Sequence, residues 1–204
     1  MRNIKTIIFD FGGVILNIDY YKTSNAFNNL GVASFDDMYS QKNADPLFSN
    51  LEEGKLNEEE FYESFRRSTN LQSTNQEIEG AWNAMLLGYR KEALDTLKSI
   101  KHKYRLFLLS NTNIIHLQAF NKIYKDEVGQ GCLADYFDKI YYSHEIGFRK
   151  PNAEAYEYVL KENNLSPSET LFIDDSIQNI ETANTLGLQT IFLKERAGIE
   201  DLGL

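Results

Sequence analysis

Five short apolar runs predict strands that are buried on both faces. They lie at residues 5–9, 105–109, 139–143, 170–173 and 189–193. Between these runs, apolar residues recur at helical spacing in residues 93–100, 114–124, 153–162 and 177–186. Pro151 is expected in the first turn of the helix that includes residues 153–162. Because strands that alternate with helices pair in parallel through right-handed crossovers, we predict an α/β fold with a parallel sheet of about five strands.

The segment after the first strand has a different pattern. Residues 18–87 contain no convincing buried strand and instead show helical spacing, with Asn57 as a helix cap and Trp82 on the apolar side of a helix over 73–86. We therefore predict a core domain formed by residues 1–17 and 88–204, into which residues 18–87 are inserted as a small α-helical domain.

Polar residues follow three of the predicted strands directly. Asp10, Ser110 and the pair Asp174-Asp175 stand where apolar runs end. Parallel strands share one carboxyl edge, so these side chains can converge on one site. Each also has a simpler interpretation, since aspartate and serine end strands and cap helices. Two adjacent carboxylates after a buried strand repel each other unless a cation is present, and Mg2+ is the natural ion for such oxygen ligands.

A lysine can reach the same edge of the sheet. Lys150 lies between the third run and the following helix, and its ammonium group suits a phosphate or a carboxylate. Taken alone, it is more simply explained as a solvated lysine in a turn. The segment Ser110 to Asn113 precedes a helix whose free N–H groups could bind an anion.

Charge and composition narrow the class of partner. The chain has 204 residues, a formal net charge of -9 and a pI near 4.9, which argue against nucleic acid or an anionic membrane as partner. No apolar run has the length of a membrane span and no signal-peptide cleavage site is recognisable, so we expect a cytoplasmic protein. The single cysteine, Cys132, excludes an internal disulfide and has no basic neighbour that would make it a nucleophile.

These elements resemble, in order and over nearly the whole chain, the four motifs of the haloacid-dehalogenase superfamily of hydrolases. The motifs are Phe9-Asp10-Phe11, Leu109-Ser110-Asn111, Arg149-Lys150-Pro151 and Asp174-Asp175. The resemblance implies a Rossmann-like three-layer core, with the helical insertion as a cap over the active site. Within the superfamily, the segments around Ser110 and Lys150 look most like bacterial phosphatases that hydrolyse glucose 1-phosphate.

The resemblance also implies roles for single residues. Asp10 would attack phosphorus and form an aspartyl-phosphate, and Lys150 would neutralise charge on Asp10 and the phosphate. Mg2+ would be held by Asp10, the backbone carbonyl of Gly12 and Asp175, with Asp174 nearby or bonded through water.

The same resemblance places the phosphate group and the substrate. Ser110, Asn111 and Lys150 would bind phosphate, and the substrate would be a small phosphorylated metabolite such as a sugar 1-phosphate. Neither a monomer nor a dimer is indicated.

Gly12 departs from the pattern of most phosphatases in the superfamily, which carry a second aspartate there as general acid and base. Glycine cannot donate a proton, and general acid catalysis contributes about 10²–10⁴-fold. We therefore expect a substrate with an acidic leaving oxygen. Asp19 is a possible substitute acid, although it could simply cap a helix before Tyr20.

Two further functions stay open at this point. A carbon–halogen hydrolase on the same fold would also use Asp10 but needs no metal, so the Asp174-Asp175 pair argues against it. A catalytically weak phosphometabolite-binding protein is suggested by Gly12. His116 and His144 lie near the predicted edge but have neither triad nor metal spacing.

Overall fold

The computed structural model describes residues 3–33, 35–40, 44–194 and 197–204. The first half of the chain contains, in order, β1 (Thr6–Phe9), β2 (Leu16–Ile18), α1 (Tyr20–Asn29), α2 (Phe35–Met38), α3 (Pro46–Glu52), α4 (Glu58–Thr69), α5 (Asn75–Asn83), β3 (Leu86–Tyr89) and α6 (Lys91–Ile100). The second half contains β4 (Arg105–Ser110), α7 (Ile114–Glu127), β5 (Lys139–Tyr142), α8 (Ser143–Ile146), α9 (Ala153–Glu162), β6 (Thr170–Asp174), α10 (Ile177–Thr185) and β7 (Gln189–Phe192).

Strand β1 lies at the centre of a five-stranded parallel sheet with the order β5-β4-β1-β6-β7. Phe9, the last residue of β1, pairs with Leu108 of β4 on one side and with Ile173 of β6 on the other. The chain first builds the sheet on the β4 side and then crosses to the β6 side. This reversal opens a crevice beside the carboxyl end of β1, where ligands bind in open α/β sheets.

Helices cover both faces of this sheet. Ile7 and Phe9 of β1 pack in an apolar cluster that includes residues of α6 and α7, whereas Ile8 packs on the opposite face with residues of α9 and α10. Such alternation is what a strand buried on both sides requires. The predicted three-layer α/β core is confirmed, and each strand of the sheet matches a predicted apolar run to within one residue.

Helices α1 to α5 enclose an apolar cluster of their own. It is rich in aromatic rings, among them Phe27, Phe48, Phe65 and Trp82, and α7 contributes Ile115. Capping boxes begin both α4 and α5. Asn57 is the cap residue of α4, as predicted from the sequence. The separate cluster supports the predicted division into a core and a cap of residues 18–87, which stays a prediction. None of the described helices is both long and apolar enough to cross a bilayer.

The sequence pattern does not predict the two short, partly exposed strands at the boundaries of the inserted segment. Strands β2 and β3 form an antiparallel ribbon where the chain leaves the core and where it returns. Each strand is short, and β3 contains Gly88 and is only partly buried. Such strands produce no continuous apolar run, and their pairing joins residues far apart in sequence, which periodicity does not reveal.

A tight turn separates β1 from the ribbon. The Gly13 N–H donates to the Leu16 carbonyl at 2.8 Å, and the Leu16 N–H donates to the Phe11 carbonyl at 3.0 Å. Gly13 has φ +73°, and a Cβ atom at this position would overlap the carboxylate of Asp175. Glycine is therefore needed here both for the backbone conformation and for the close approach of Asp175.

We expect Gly13→Ala to destabilise the protein more than Gly129→Ala does. Both substitutions force alanine into the left-handed region, which costs about 1–2 kcal/mol. Gly129 has φ +82°, and a Cβ there would meet nothing within 4 Å, whereas one at Gly13 meets Asp175. Urea unfolding should show an extra loss of at least about 1 kcal/mol for Gly13→Ala, the usual cost of overpacking. Equal losses would contradict this account of the turn.

Candidate active site

The side chain of Lys150 joins two of the predicted acidic residues. Its Nζ atom lies 2.7 Å from Asp10 Oδ1 and 2.7 Å from Asp174 Oδ2. Asp10 follows β1, Asp174 ends β6, and Lys150 lies in the loop before α9. The carboxyl edge of the sheet thus brings Lys150 together with Asp10, 140 positions away in the sequence, and with Asp174, 24 positions away. The predicted convergence of these side chains is present.

The loop that carries Lys150 is fixed to the end of β4 by a reciprocal pair of hydrogen bonds. Asn111 Nδ2 donates to the Lys150 carbonyl at 2.7 Å, and the Lys150 N–H donates to Asn111 Oδ1 at 2.8 Å. The Asn111 amide therefore positions the lysine, and its predicted contact with phosphate stays a prediction. Pro151 does not lie in the first turn of α9 as expected, because the helix begins at Ala153 and Asn152 occupies the cap position.

Asp174 is fully buried and accepts several hydrogen bonds. The Ser176 N–H donates to its Oδ1 at 2.7 Å, and Asn179 Nδ2 lies 3.0 Å from Oδ1 and 2.9 Å from Oδ2. Together with Lys150, these donors compensate the cost of burying a carboxylate. Asn179 was not singled out in the sequence. The available signal was its place on α10 five residues after an acidic residue, and this position alone does not show that its side chain turns back.

Ser110 closes β4 at the same edge and is 3% exposed. Its hydroxyl makes a long contact of 3.4 Å with the Asn111 carbonyl. Both residues line the cleft above Asp10.

The site combines excess negative charge with burial. Burial, followed by the charge of Asp174, raises the pKa of Asp10 to about 8, although Lys150 acts in the opposite direction. Burial alone would lower the pKa of Lys150, but the carboxylates of Asp10 and Asp174 raise it above its usual value. The lysine therefore stays charged, and the acidic cluster favours a further cation.

Three carboxylates are close enough to share that cation. One oxygen from each of Asp10, Asp174 and Asp175 lies within 4.8 Å of the others. Oxygen ligands from one or two carboxylates are typical of Mg2+, which also retains water or binds phosphate. Asp174 accepts hydrogen bonds from Lys150 and Asn179, which use part of its capacity as a metal ligand, and the assignment of the individual ligands stays a prediction. Gly12 lines the same cleft.

The cleft lies between this edge and the inserted helices. On the side of the inserted segment, its described lining mixes apolar and polar side chains and comprises Ile18, Tyr20, Tyr39, Ser40, Glu52, Met85 and Leu86. Sequence reasoning missed the contribution of Tyr39 and Glu52, because neither belongs to a recognisable motif.

A profile of the haloacid dehalogenase-like hydrolases matches residues 4–187. The chain belongs to this family. The family, the fold and the hydrolase class predicted from the sequence are thereby confirmed.

Relatives of known name and structure agree with this assignment. A D-ribitol-5-phosphate phosphatase of Bacteroides thetaiotaomicron is 37% identical over 188 residues, which are 92% of this chain and 90% of the relative. A wild-type family enzyme of the same species, solved with magnesium and inorganic phosphate, has a TM-score of 0.88 at 31% identity and covers 98% of this chain and 100% of its own. A family hydrolase of Porphyromonas gingivalis has a TM-score of 0.84 at 34% identity, over 93% and 91% of the two chains. The magnesium in the second relative agrees with the cofactor expected from the sequence.

Asp19 of this haloacid dehalogenase-like hydrolase serves as a helix cap. Its Oδ1 accepts a hydrogen bond of 3.0 Å from the Tyr21 N–H, and the residue is absent from the described lining of the cleft. This geometry favours the capping interpretation over a role as substitute acid.

The two histidines near the site are held by backbone carbonyls. His116 stacks on Trp82 with ring centroids 4.5 Å apart, and its Nε2 lies 3.2 Å from the Trp82 carbonyl. Burial lowers the pKa of His116 to about 4, so the ring is neutral and donates this hydrogen bond. His144 Nδ1 lies 3.2 Å from the Thr112 carbonyl. His116 thus joins α7 of the core to α5 of the insertion.

Protonation of His116 should destabilise the folded enzyme in mild acid. Its pKa is about 4 when folded and 6.5 in a model peptide, so below pH 6.5 the unfolded chain takes up a proton that the folded chain does not. The titration of His116 alone should lower the free energy of unfolding by about 2 kcal/mol at pH 5, and it should leave the free energy unchanged above pH 7.5.

Denaturant unfolding at pH 7.5 and pH 5 tests this expectation. His116→Gln should lose less stability than the wild type over this interval, whereas His102→Gln, which changes an exposed histidine, should keep the wild-type dependence. The same loss in all three proteins would show that His116 does not titrate as described.

Proposed function

We propose that this protein is a Mg2+-dependent phosphatase that hydrolyses the monophosphate of a small sugar or sugar alcohol. The observation that carries the proposal is the position of Asp10, whose carboxylate contacts Lys150 and lies within metal-binding distance of Asp174 and Asp175. Phosphoryl transfer requires mainly positioning and charge neutralisation, which these groups supply. The named relatives, one a sugar-alcohol phosphatase, support the same class of reaction.

The proposed reaction has two displacements at phosphorus. The carboxylate of Asp10 attacks, and the new bond between its oxygen and phosphorus forms as the bond to the leaving oxygen breaks. The released alkoxide takes up a proton from solvent water. Water then attacks the aspartyl-phosphate, which breaks the bond to Asp10 and releases inorganic phosphate. The nucleophile must be ionised at the start. Burial and the charge of Asp174 oppose this state, whereas the adjacent ammonium group of Lys150 favours it and a bound Mg2+ would favour it further.

Other side chains would bind and orient the phosphoryl group. Lys150 would neutralise the negative charge on Asp10 and on a phosphoryl oxygen. The Ser110 hydroxyl and Asn111 would bind another phosphoryl oxygen. Asp10, Asp175 and the Gly12 carbonyl would hold Mg2+, with Asp174 beside them. When bound, the ion supplies the positive charge that offsets repulsion between a carboxylate and a phosphate dianion.

The leaving oxygen decides the finer question of substrate. Gly12 offers no proton donor, and a Cβ there would meet only the movable end of the Ile18 side chain, with Cδ1 at 2.9 Å. This favours an acidic leaving oxygen such as the anomeric oxygen of a sugar 1-phosphate. The named activity of the ribitol-phosphate relative instead favours the ester of a primary alcohol. Both kinds of sugar phosphate are therefore candidates.

A screen of sugar phosphates with Mg2+ tests the reaction itself. Asp10→Asn should abolish turnover and chelation should remove it reversibly, because the nucleophile and the positive charge are both required. Asp19→Asn is the matched control, since asparagine caps a helix as well as aspartate does. We expect its kcat to equal that of the wild type, and a large loss would restore Asp19 as the acid.

The competing functions give different results in the same assays. Release of halide from a haloacid in the presence of chelator would indicate a carbon–halogen hydrolase. Binding of phosphorylated ligands without turnover, unchanged in Asp10→Asn, would indicate a binding protein.

Glucose 1-phosphate and glucose 6-phosphate form a matched pair that tests the leaving group. Without a general acid at Gly12, we expect kcat for the anomeric ester to exceed that for the primary ester by at least about 10-fold. Gly12→Asp combined with Ile18→Val, which makes room for the new side chain, should reduce this difference. Equal kcat values for the two esters in the wild type would contradict the expectation.

A further inference from the structure

We propose that Tyr39, Glu52 and Arg149 form the subsite for the leaving alcohol, and that this subsite selects a neutral polyhydroxyl group over one with a second negative charge. The inference rests on the proposed phosphatase function and specifies its substrate class. It is motivated by a buried ion pair at the cleft for which the catalytic chemistry has no use.

The three side chains are joined through the carboxylate of Glu52. The Tyr39 hydroxyl donates to Glu52 Oε1 at 2.8 Å, and Arg149 Nε donates to Glu52 Oε2 at 2.8 Å. The Glu52 side chain is only 2% exposed and that of Arg149 is 22% exposed. All three line the cleft that contains Asp10.

The position of the cluster relates it directly to the reacting phosphate. Arg149 immediately precedes Lys150, whose Nζ contacts Asp10, whereas Glu52 ends α3 in the inserted segment. Across the cleft, the backbone at Gly54 lies against the His144 carbonyl, so α3 and its following turn are docked on the core. The cluster therefore borders the phosphoryl site where a leaving group would extend towards the inserted helices.

The cluster has hydrogen-bonding capacity left for hydroxyl groups. An ionised carboxylate accepts about four hydrogen bonds and a guanidinium donates five. Among the described residues, Glu52 accepts one bond from Tyr39 and one from Arg149, and the guanidinium donates through Nε alone. Burial and the charge of Glu52 raise the pKa of Tyr39, so this phenol stays protonated and keeps its bond. Vicinal hydroxyl groups both donate and accept hydrogen bonds, so they match the remaining acceptor capacity of Glu52 and the remaining N–H donors of Arg149.

Charge explains why a second anionic group would be unfavourable. The positive charge of Arg149 is already paired with Glu52, so the pair offers no net attraction for an anion. A substrate carboxylate or second phosphate would enter beside the buried Glu52 carboxylate, where solvent screens repulsion poorly. A neutral sugar or sugar alcohol meets no such repulsion.

Matched pairs of neutral and acidic substrates test the proposal. The pairs are ribitol 5-phosphate with ribonate 5-phosphate and glucose 1-phosphate with glucuronate 1-phosphate, and p-nitrophenyl phosphate is a reference that lacks hydroxyls. The wild type should prefer the neutral member by at least about 10-fold in kcat/KM. Glu52→Gln should lower the neutral-to-acidic ratio, and the ratio of neutral substrate to p-nitrophenyl phosphate, by about 10- to 100-fold, the range of a hydrogen bond to a charged group.

Two further variants complete the design. Glu53→Gln makes the same chemical change one residue later, outside the described lining of the cleft, and should keep both wild-type ratios. Tyr39→Phe removes one hydroxyl but keeps the Glu52 charge, so it should lower the ratio of neutral substrate to p-nitrophenyl phosphate without lowering the neutral-to-acidic ratio. This variant keeps the proposal testable if Glu52→Gln does not fold.

The outcomes separate the subsite from the phosphatase function. Equal hydrolysis of neutral and acidic partners by the wild type, or a uniform loss with every substrate in the Glu52 and Tyr39 variants, would overturn the subsite while the phosphatase function stands. Failure of the wild type to hydrolyse any phosphate, including p-nitrophenyl phosphate, would overturn both.

Discussion

A single buried ammonium group determines how this active site can be built. Lys150 is 1% exposed and bonds to Asp10 and Asp174, so its charge is compensated only when the ends of β1 and β6 stand at this spacing. Losing the lysine would leave the carboxylates of Asp10 and Asp174 without their cation, and breaking a buried ion pair in this way typically costs 3–5 kcal/mol. The reciprocal bonds from Asn111 and the amide of Asn179 hold the lysine loop and the second carboxylate in place.

The topology of the sheet supplies that spacing. Because β4 and β6 flank β1 in parallel, residues that end these strands meet at one edge, and the reversal of the sheet at β1 leaves space for a substrate. The turn at Gly13 then brings the backbone after Asp10 against the Asp175 carboxylate. A cluster of three carboxylates with one lysine is consequently short of positive charge, which a bound metal ion would supply.

The sequence predicted the parts of this arrangement that depend on local pattern. Buried parallel strands are continuous apolar runs, so the sheet and the polar residues at its edge, such as Asp10, could be predicted. The ribbon of β2 and β3 could not be predicted, because its short strands form only by pairing with each other. Nor could the pairing of Glu52 with Arg149, 97 positions away, since a lone glutamate in a helix is most simply a solvated residue. Contacts of this kind exist only once the tertiary fold has formed.

Two features of the site concern the leaving group of the substrate. They are the absence of an acid at Gly12 and the buried Glu52–Arg149 pair. The first limits how well the enzyme can stabilise a basic leaving oxygen, and the second provides contacts to the remainder of the leaving group. Binding energy from such remote contacts can be used to orient the ester for attack by Asp10. Without a proton donor at Gly12, the enzyme would depend more on the proposed contacts to the leaving group, and small phosphates that cannot reach Glu52 would gain least from them.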